Sequence, residues 1–390
     1  MRPVVPAVAA GVIAAASLVP RVLGVFGVLP PALTLFAWSD IYAMWRDAGL
    51  DGHKLPYVDV GFAYPPVIGY VSGVLSLLTA DGAGFVAAWA VIVVLSAALG
   101  GYIFARAARP SRALLFWACT PQLLLTAGIN FDVIAAVLAG GAAILARRAE
   151  YARSLALLAV GTATKFYPAA FAPILIVRSF VRGDRRGAIV GSLIFTAALA
   201  VLYLPATLAA QSTAPFVAEY AFTKPANPDS IWAIPTVLLQ AAGVADPGLI
   251  VVAATAVGLV LTYAIGVLPR ALRAADPVIG FALALATVLF WARFYSPQYA
   301  IWLLPFFVLL PLRTRTFVLF SVADVGTFIS ISSLTLLLRP GDALVPVALA
   351  LLAAAITLRQ IMLVVFWREV ADLGERRPRT NADESVPSRP

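Results

Sequence analysis

Apolar runs of about twenty residues recur along this chain, and its charges fall almost entirely between them. One such run is FVAAWAVIVVLSAALGGYIF, residues 85–104. A run of that length crosses the hydrocarbon core of a bilayer as a helix. Lipid offers the backbone no hydrogen-bond partners, so only helices or closed barrels can span it. Nothing here alternates with the period of a barrel strand, so an all-α polytopic membrane protein is expected. The charged share is 12% against 62% hydrophobic residues, too little charge to clothe a water-soluble domain of 390 residues.

Arginines set the expected topology. They cluster at Arg106, Arg109 and Arg112, at Arg147, Arg148 and Arg153, and at Arg178, Arg182, Arg185 and Arg186. Further groups are Arg270 with Arg273, Arg313 with Arg315, and the tail from Arg368 onward. These clusters punctuate the apolar runs as cytoplasmic anchors do. They form no continuous basic stripe, so the net charge of +9 points to loop anchoring and anionic headgroups and not to nucleic acid. With every cluster in the cytoplasm, the chain makes about 12 transmembrane helices, with both termini cytoplasmic, in the inner (plasma) membrane. The opening MRPVVPAVAAGVIAAASLVP is similar to a signal peptide, but the spans that follow make it an uncleaved first helix. PPVIGYVSGVLSLL, after Tyr64, is too short to cross and is expected to be juxtamembrane. Ile41, Met44, Trp45 and Ala48 share one helical face in the same first outer loop, which predicts a second helix lying on the membrane surface. The chain divides into one transmembrane domain, 1–367, and a polar tail, 368–390, expected to be disordered and cytoplasmic. The single cysteine, Cys119, excludes an intrachain disulfide.

Polar groups collect on the predicted outer side. All three lysines, Lys54, Lys165 and Lys224, fall there, while every cytoplasmic anchor is arginine. Lys165, in GTATKFYPAAFAPILIV, stands at the turn of a hairpin whose arms are too short to span the core, so it is recessed and needs an anionic partner or a cavity. Arg293 lies in WARFYSPQY beside Tyr295 and Gln298. Lys224 lies in a Pro-rich outer segment with Asn227 and Asp229. Among the acids, Asp40 and Asp132 stand nearest the outer interface, and His53, the one histidine, shares the first loop with Tyr64. Asp324 lies inside a span, where an acid is either functional or ion-paired, for instance with Arg21. Asp40 has two readings: with Ser39, a helix N-cap, or a group that does chemistry.

The segments WSDIY (38–42), PYVDVGFAYPP (56–66), TKFYP (164–168) and SPQYAIWLLP (296–305), in this order and topology, resemble glycosyltransferase family 87 of the GT-C superfamily. These are the polyprenyl-phosphate-mannose-dependent enzymes of actinobacteria. The resemblance implies a GT-C-like bundle with juxtamembrane helices in its first outer loop. It also implies transfer of a sugar, mannose first, from a polyprenyl phosphate to a cell-envelope glycolipid or glycan at the outer face. Carried onto this chain, Asp40 is the general base of an inverting reaction. Lys165, Arg293 and Lys224 are the cations for the donor phosphate, and His53, Tyr64, Asp132, Tyr295 and Gln298 are further pocket residues. No Asp-x-Asp or Glu-x-Asp pair marks a metal site in these loops, so no metal or other cofactor is expected. A transporter or flippase of a lipid-linked sugar, or a non-catalytic envelope subunit, is the competing class.

Overall fold

The computed structural model describes residues 1–212, 214 and 226–375. Lys224 and the last fifteen residues lie outside that range. Among the described residues the fold is all-helical, with no β-strand. Six helices among those residues are long and apolar enough to cross a membrane. They are α1 (Val4–Val25), α4 (Gly82–Ala107), α10 (Arg185–Leu208), the run Pro247–Arg273, α16 (Thr314–Leu336) and α17 (Val345–Glu375). Within Pro247–Arg273, α12 (Pro247–Leu261) and α13 (Leu268–Arg273) are joined by a π-helical turn. Four shorter apolar helices accompany these six, α3 (Pro66–Leu78), Tyr167–Val181, α14 (Pro277–Trp291) and Pro297–Leu309.

With no hydrophobic drive between helices in lipid, close packing must hold them together, and small residues permit it. The helices α1 and α4 meet this way. Gly101 lies against the backbone of α1, where an added Cβ would stand 2.5 Å from the carbonyl oxygen of Pro6.

Two breaks organise one end of the bundle. The first follows α8 (Tyr151–Thr162), only 12 residues long, hence about 18 Å. The chain then passes Lys165 and re-enters as a 3-10 turn, Tyr167–Phe171, that leads into α9 (Ala172–Val181). Proline at the head of that turn removes a backbone donor and sets the re-entry. The short hairpin expected around Lys165 is therefore present. The second break follows α14, where residues 292–296 lead into a 3-10 helix, Pro297–Leu303, and then α15 (Leu304–Leu309). Between the two lies the start of α7 (Asp132–Arg147), which follows the short helix α6 (Pro121–Thr126). In a membrane protein, irregular backbone is tolerated where protein or a cavity, not lipid, surrounds it.

The first loop differs from expectation in what covers it. Its helix α2 (Asp40–Asp47) turns Ile41 and Met44 into protein, against a cluster that includes Phe62, Phe85, Trp89 and Phe131. Its apolar face is thus buried on α4 and the loop itself. Helix α17 continues to Glu375, and Glu369 fastens it by accepting from the Arg313 N–H (2.5 Å) and the Thr316 hydroxyl (2.8 Å).

The expected partner of Asp324 is replaced as well. Asp324 pairs with Arg359 of α17, Oδ1 to Nη1 at 3.6 Å, both buried. Arg21 is committed elsewhere, donating to the carbonyls of Trp38 (2.9 Å), Leu125 (2.6 Å) and Ser17.

Candidate active site

Asp40 is not the cap of α2. Ser39 holds the N-cap position, and its hydroxyl accepts from the Tyr42 N–H at 3.4 Å. Asp40 is the first helical residue, and its own N–H is taken by the Ile129 carbonyl at 2.9 Å. Its carboxylate is left for side chains. The Trp38 indole N–H donates to Oδ1 at 2.7 Å, and the Asn130 amide donates to Oδ2 at 2.8 Å. Gln298 adds a long contact to Oδ2, 3.4 Å. The orientation of Asn130 is fixed in turn, since its Oδ1 accepts from the Phe131 N–H at 2.7 Å. A carboxylate has about four lone-pair sites, so three donors leave room for one more proton.

The carboxylate faces a cleft of about 210 Å³. Arg21, Trp38, Asp40, Asp229, Ser296 and Gln298 line its polar part. Phe36, Phe328, Ile331 and Leu336 line its apolar part, where the 3-10 turn Pro31–Phe36 meets α16. Asp229 is buried, and burial pushes its carboxyl above the usual range against the opposing charge of Arg359.

A second acid stands behind the first. Asp132 begins α7, two residues after Asn130, so one turn supplies both a partner of Asp40 and a buried carboxylate. Its Oδ1 accepts from the Trp302 indole at 2.8 Å and lies 3.5 Å from Lys165 Nζ. Its Oδ2 is buried with no hydrogen-bond partner among the described residues. Lys165 keeps 12% of its side chain exposed and lies near two ring faces, Tyr64 at 5.8 Å and Tyr299 at 5.4 Å. Gln298 and Trp302 share one 3-10 helix, so the motif SPQYAIW reaches both acids from the second break.

The structure thus brings together Asp40, Asp132, Lys165, Tyr64 and Gln298. It places three other candidates differently. His53 is exposed in the first loop, where its Nδ1–H donates to the Ser76 carbonyl at 2.8 Å, away from the cleft. That hydrogen bond fastens the loop to the end of α3. Tyr295 turns its ring under Arg359, 3.9 Å from the guanidinium carbon, beside the Asp324 pair. Arg293 is half-buried after α14, its guanidinium 5.0 Å from the Phe294 ring, and its carbonyl takes the Asn227 N–H. Lys224 lies outside the described residues. Among the described residues, no three His, Cys, Asp or Glu side chains gather as they would to hold a metal ion.

Several site residues escaped the sequence. Trp38 and Asn130 each stand two positions before an acid already singled out, Asp40 and Asp132, and that spacing was the available signal. Asp229 and Arg21 had none, since their places depend on segments far apart in the chain.

The sequence profile described as Glycosyltransferase family 87 matches residues 62–297. The matched stretch contains Tyr64, Asp132, Lys165, Asp229 and Arg293, whereas Asp40 precedes it and Gln298 follows it. No curated protein and no solved structure matches the chain.

Proposed function

The chain belongs to glycosyltransferase family 87, and from that premise we propose which sugar transfer it performs. The donor is a sugar, mannose first, carried on polyprenyl phosphate, and the acceptor is a cell-envelope glycolipid or glycan. Asp40 is the general base. It takes the proton of the acceptor hydroxyl while that oxygen bonds the anomeric carbon from the face opposite the phosphate. The bond between that carbon and the phosphate oxygen breaks, its electron pair stays with polyprenyl phosphate, and the configuration inverts.

The observation that carries this reading is the state of the Asp40 carboxylate. Released from capping by Ser39 and held by Trp38 and Asn130, it faces a cleft large enough for a sugar. An ionised carboxylate within reach of a hydroxyl is what a general base requires. Cations serve the leaving phosphate, where charge develops as the bond breaks. Lys165 offers it the exposed corner of its pair with Asp132, and Arg293 and Lys224 are the further cations.

We place the reaction at the outer face of the inner membrane, with about twelve crossings and both termini cytoplasmic. The six long helices account for half of these. The half-length helices around the two breaks supply crossings in pairs.

The test is transfer from labelled polyprenyl-phosphate-mannose in membranes carrying the protein. Labelled mannose in a new glycolipid or glycan, with polyprenyl phosphate released, is the expected result. Movement of label across the bilayer with no product would overturn the reading in favour of a flippase. A cysteine placed at position 54 should react from outside in intact cells, and one at 184 should not; the reverse pattern would invert the topology.

A further inference from the structure

The cleft that holds Asp40 contains a second carboxylate that the proposed chemistry does not use. Asp229 is 6% exposed and lines the same cleft. Ser296 lines the cleft with it, and the Asp229 Oδ1 is buried with no hydrogen-bond partner among the described residues. A buried polar atom left without a partner costs free energy unless a ligand completes it.

The segment that carries Asp229 is built to stay in place. It is pinned to the C-terminal end of α14, whose last carbonyls lack helical partners. Asn227 N–H donates to the Arg293 carbonyl at 3.0 Å, the Ser230 hydroxyl to Ala292 at 2.9 Å, and the Trp232 indole to Phe290 at 3.1 Å. From the other side Arg359 Nη2 donates to the Asp229 carbonyl at 2.5 Å and to the Tyr295 carbonyl at 2.8 Å. Arg359 is itself held by Asp324. The buried ion pair of α16 and α17 therefore supports the two backbone segments that form one wall of the cleft.

Resting on the reading of Asp40 as base, we propose that Asp229 binds a ring hydroxyl of the acceptor sugar next to the one that reacts. The base must touch the acceptor, and Asp229 shares the base's cleft. At about 210 Å³ the cleft is smaller than the roughly 300 Å³ at which drug-sized pockets begin, so it takes one ring rather than an oligosaccharide. The apolar wall of Phe36, Phe328 and Leu336 continues from the ring position and suits an alkyl chain attached to it. The acceptor is thus a single sugar ring presented on an apolar stem, selected through one hydroxyl.

The probe is octyl mannoside with its monodeoxy analogues, titrated calorimetrically against the purified full-length protein. Wild type should bind the parent sugar, and one deoxy analogue should bind about tenfold to a hundredfold more weakly. Asp229→Ala should bind the parent sugar more weakly by the same factor and no longer distinguish that analogue. Asp229→Asn, nearly isosteric, serves where the alanine variant fails to fold. Asp40→Asn should still distinguish that analogue while its transfer falls by about 10²- to 10⁴-fold, which separates this site from the base. Unchanged affinity in both Asp229 variants overturns the proposal, as does failure of wild type to bind octyl mannoside at millimolar concentration. If instead Asp40→Asn transfers normally while Asp229 behaves as stated, the base assignment falls and the hydroxyl site stands.

Discussion

The two ends of the helical bundle treat their charges in opposite ways. At one end the arginines are spent on backbone. Arg178 donates to the carbonyls of Ala271, Ala274 and Ala275 at 3.0, 2.7 and 2.6 Å, closing the end of α13. Arg112 does the same for Phe307, Val308 and Leu310 at the end of α15, and Arg147 reaches Leu309 and Asp276. A guanidinium carries five donors in a fixed fork, and the last carbonyls of a helix are orphans with partial negative charge. At the opposite end the acids are under-used. Asp132 Oδ2 and Asp229 Oδ1 have no partner among the described residues, and Asp40 holds a spare lone pair toward the cleft. Arginines that close helix ends make a stable junction at one end, whereas carboxylate oxygens without partners at the other leave capacity for a substrate.

The sharpest break of this contrast is Asp40→Asn. An amide keeps the shape but accepts no proton, so transfer should fall by about 10²- to 10⁴-fold. The melting temperature should stay at the wild-type value, because Ser39 retains the cap. Near-normal transfer by a folded variant would remove Asp40 from the mechanism and move attention to Asp132.

Next in size is the Lys165–Asp132 pair. Removing one partner of a buried pair strands the other charge, at a cost of about 3–5 kcal/mol, so Lys165→Met should melt well below wild type. Combining it with Asp132→Asn should recover much of that loss. Activity then tells the two roles apart. If Lys165 also meets the donor phosphate, the double variant is stable and inactive. If the pair is only structural, activity returns with stability, and Lys165 leaves the site.

Smaller again is Arg178→Met at the opposite end. Losing charge-assisted hydrogen bonds to three carbonyls should cost about 3 kcal/mol in thermal melts, with KM for donor and acceptor unchanged. A change in KM would mean that the two ends are coupled.

Much of this contrast is visible in the sequence, and the missing part has a physical reason. Apolar period and length gave the helices, and the shortness of the arms around Lys165 gave a recessed cation. The position of Asp40 after the first span gave an acid at the start of the next helix, α2. Each of these depends on residues close together in the chain. What the sequence hides is pairing at long range. Asn130 meets Asp40 across 90 positions and Gln298 across 258. The choice of Arg359 over Arg21 for Asp324 turns on which face of α17 meets α16, and the runs are apolar all round, so no stripe marks that face. The capping question was also open because Ser39 and Asp40 are adjacent and chemically equivalent as caps; the turn onto Ile129 decides it.

The smallest effect belongs to an arginine that the sequence cannot tell from Arg178. Arg153 stands in the same kind of cluster and has an ion pair with Glu150 at 2.7 Å. Its side chain is 80% exposed, while Arg178 is buried. Water already solvates an exposed guanidinium, and holding a surface pair in one geometry costs side-chain entropy, so such pairs contribute little. Arg153→Ala should therefore leave both the melting temperature and transfer unchanged. The positive-inside rule reads the two residues alike, because it weighs charge near a span and not what the charge touches. A loss of stability at Arg153 comparable to that at Arg178 would show that the arginine end is held by charge density alone. A silent Arg153 beside a destabilising Arg178 would show that the carbonyls hold it.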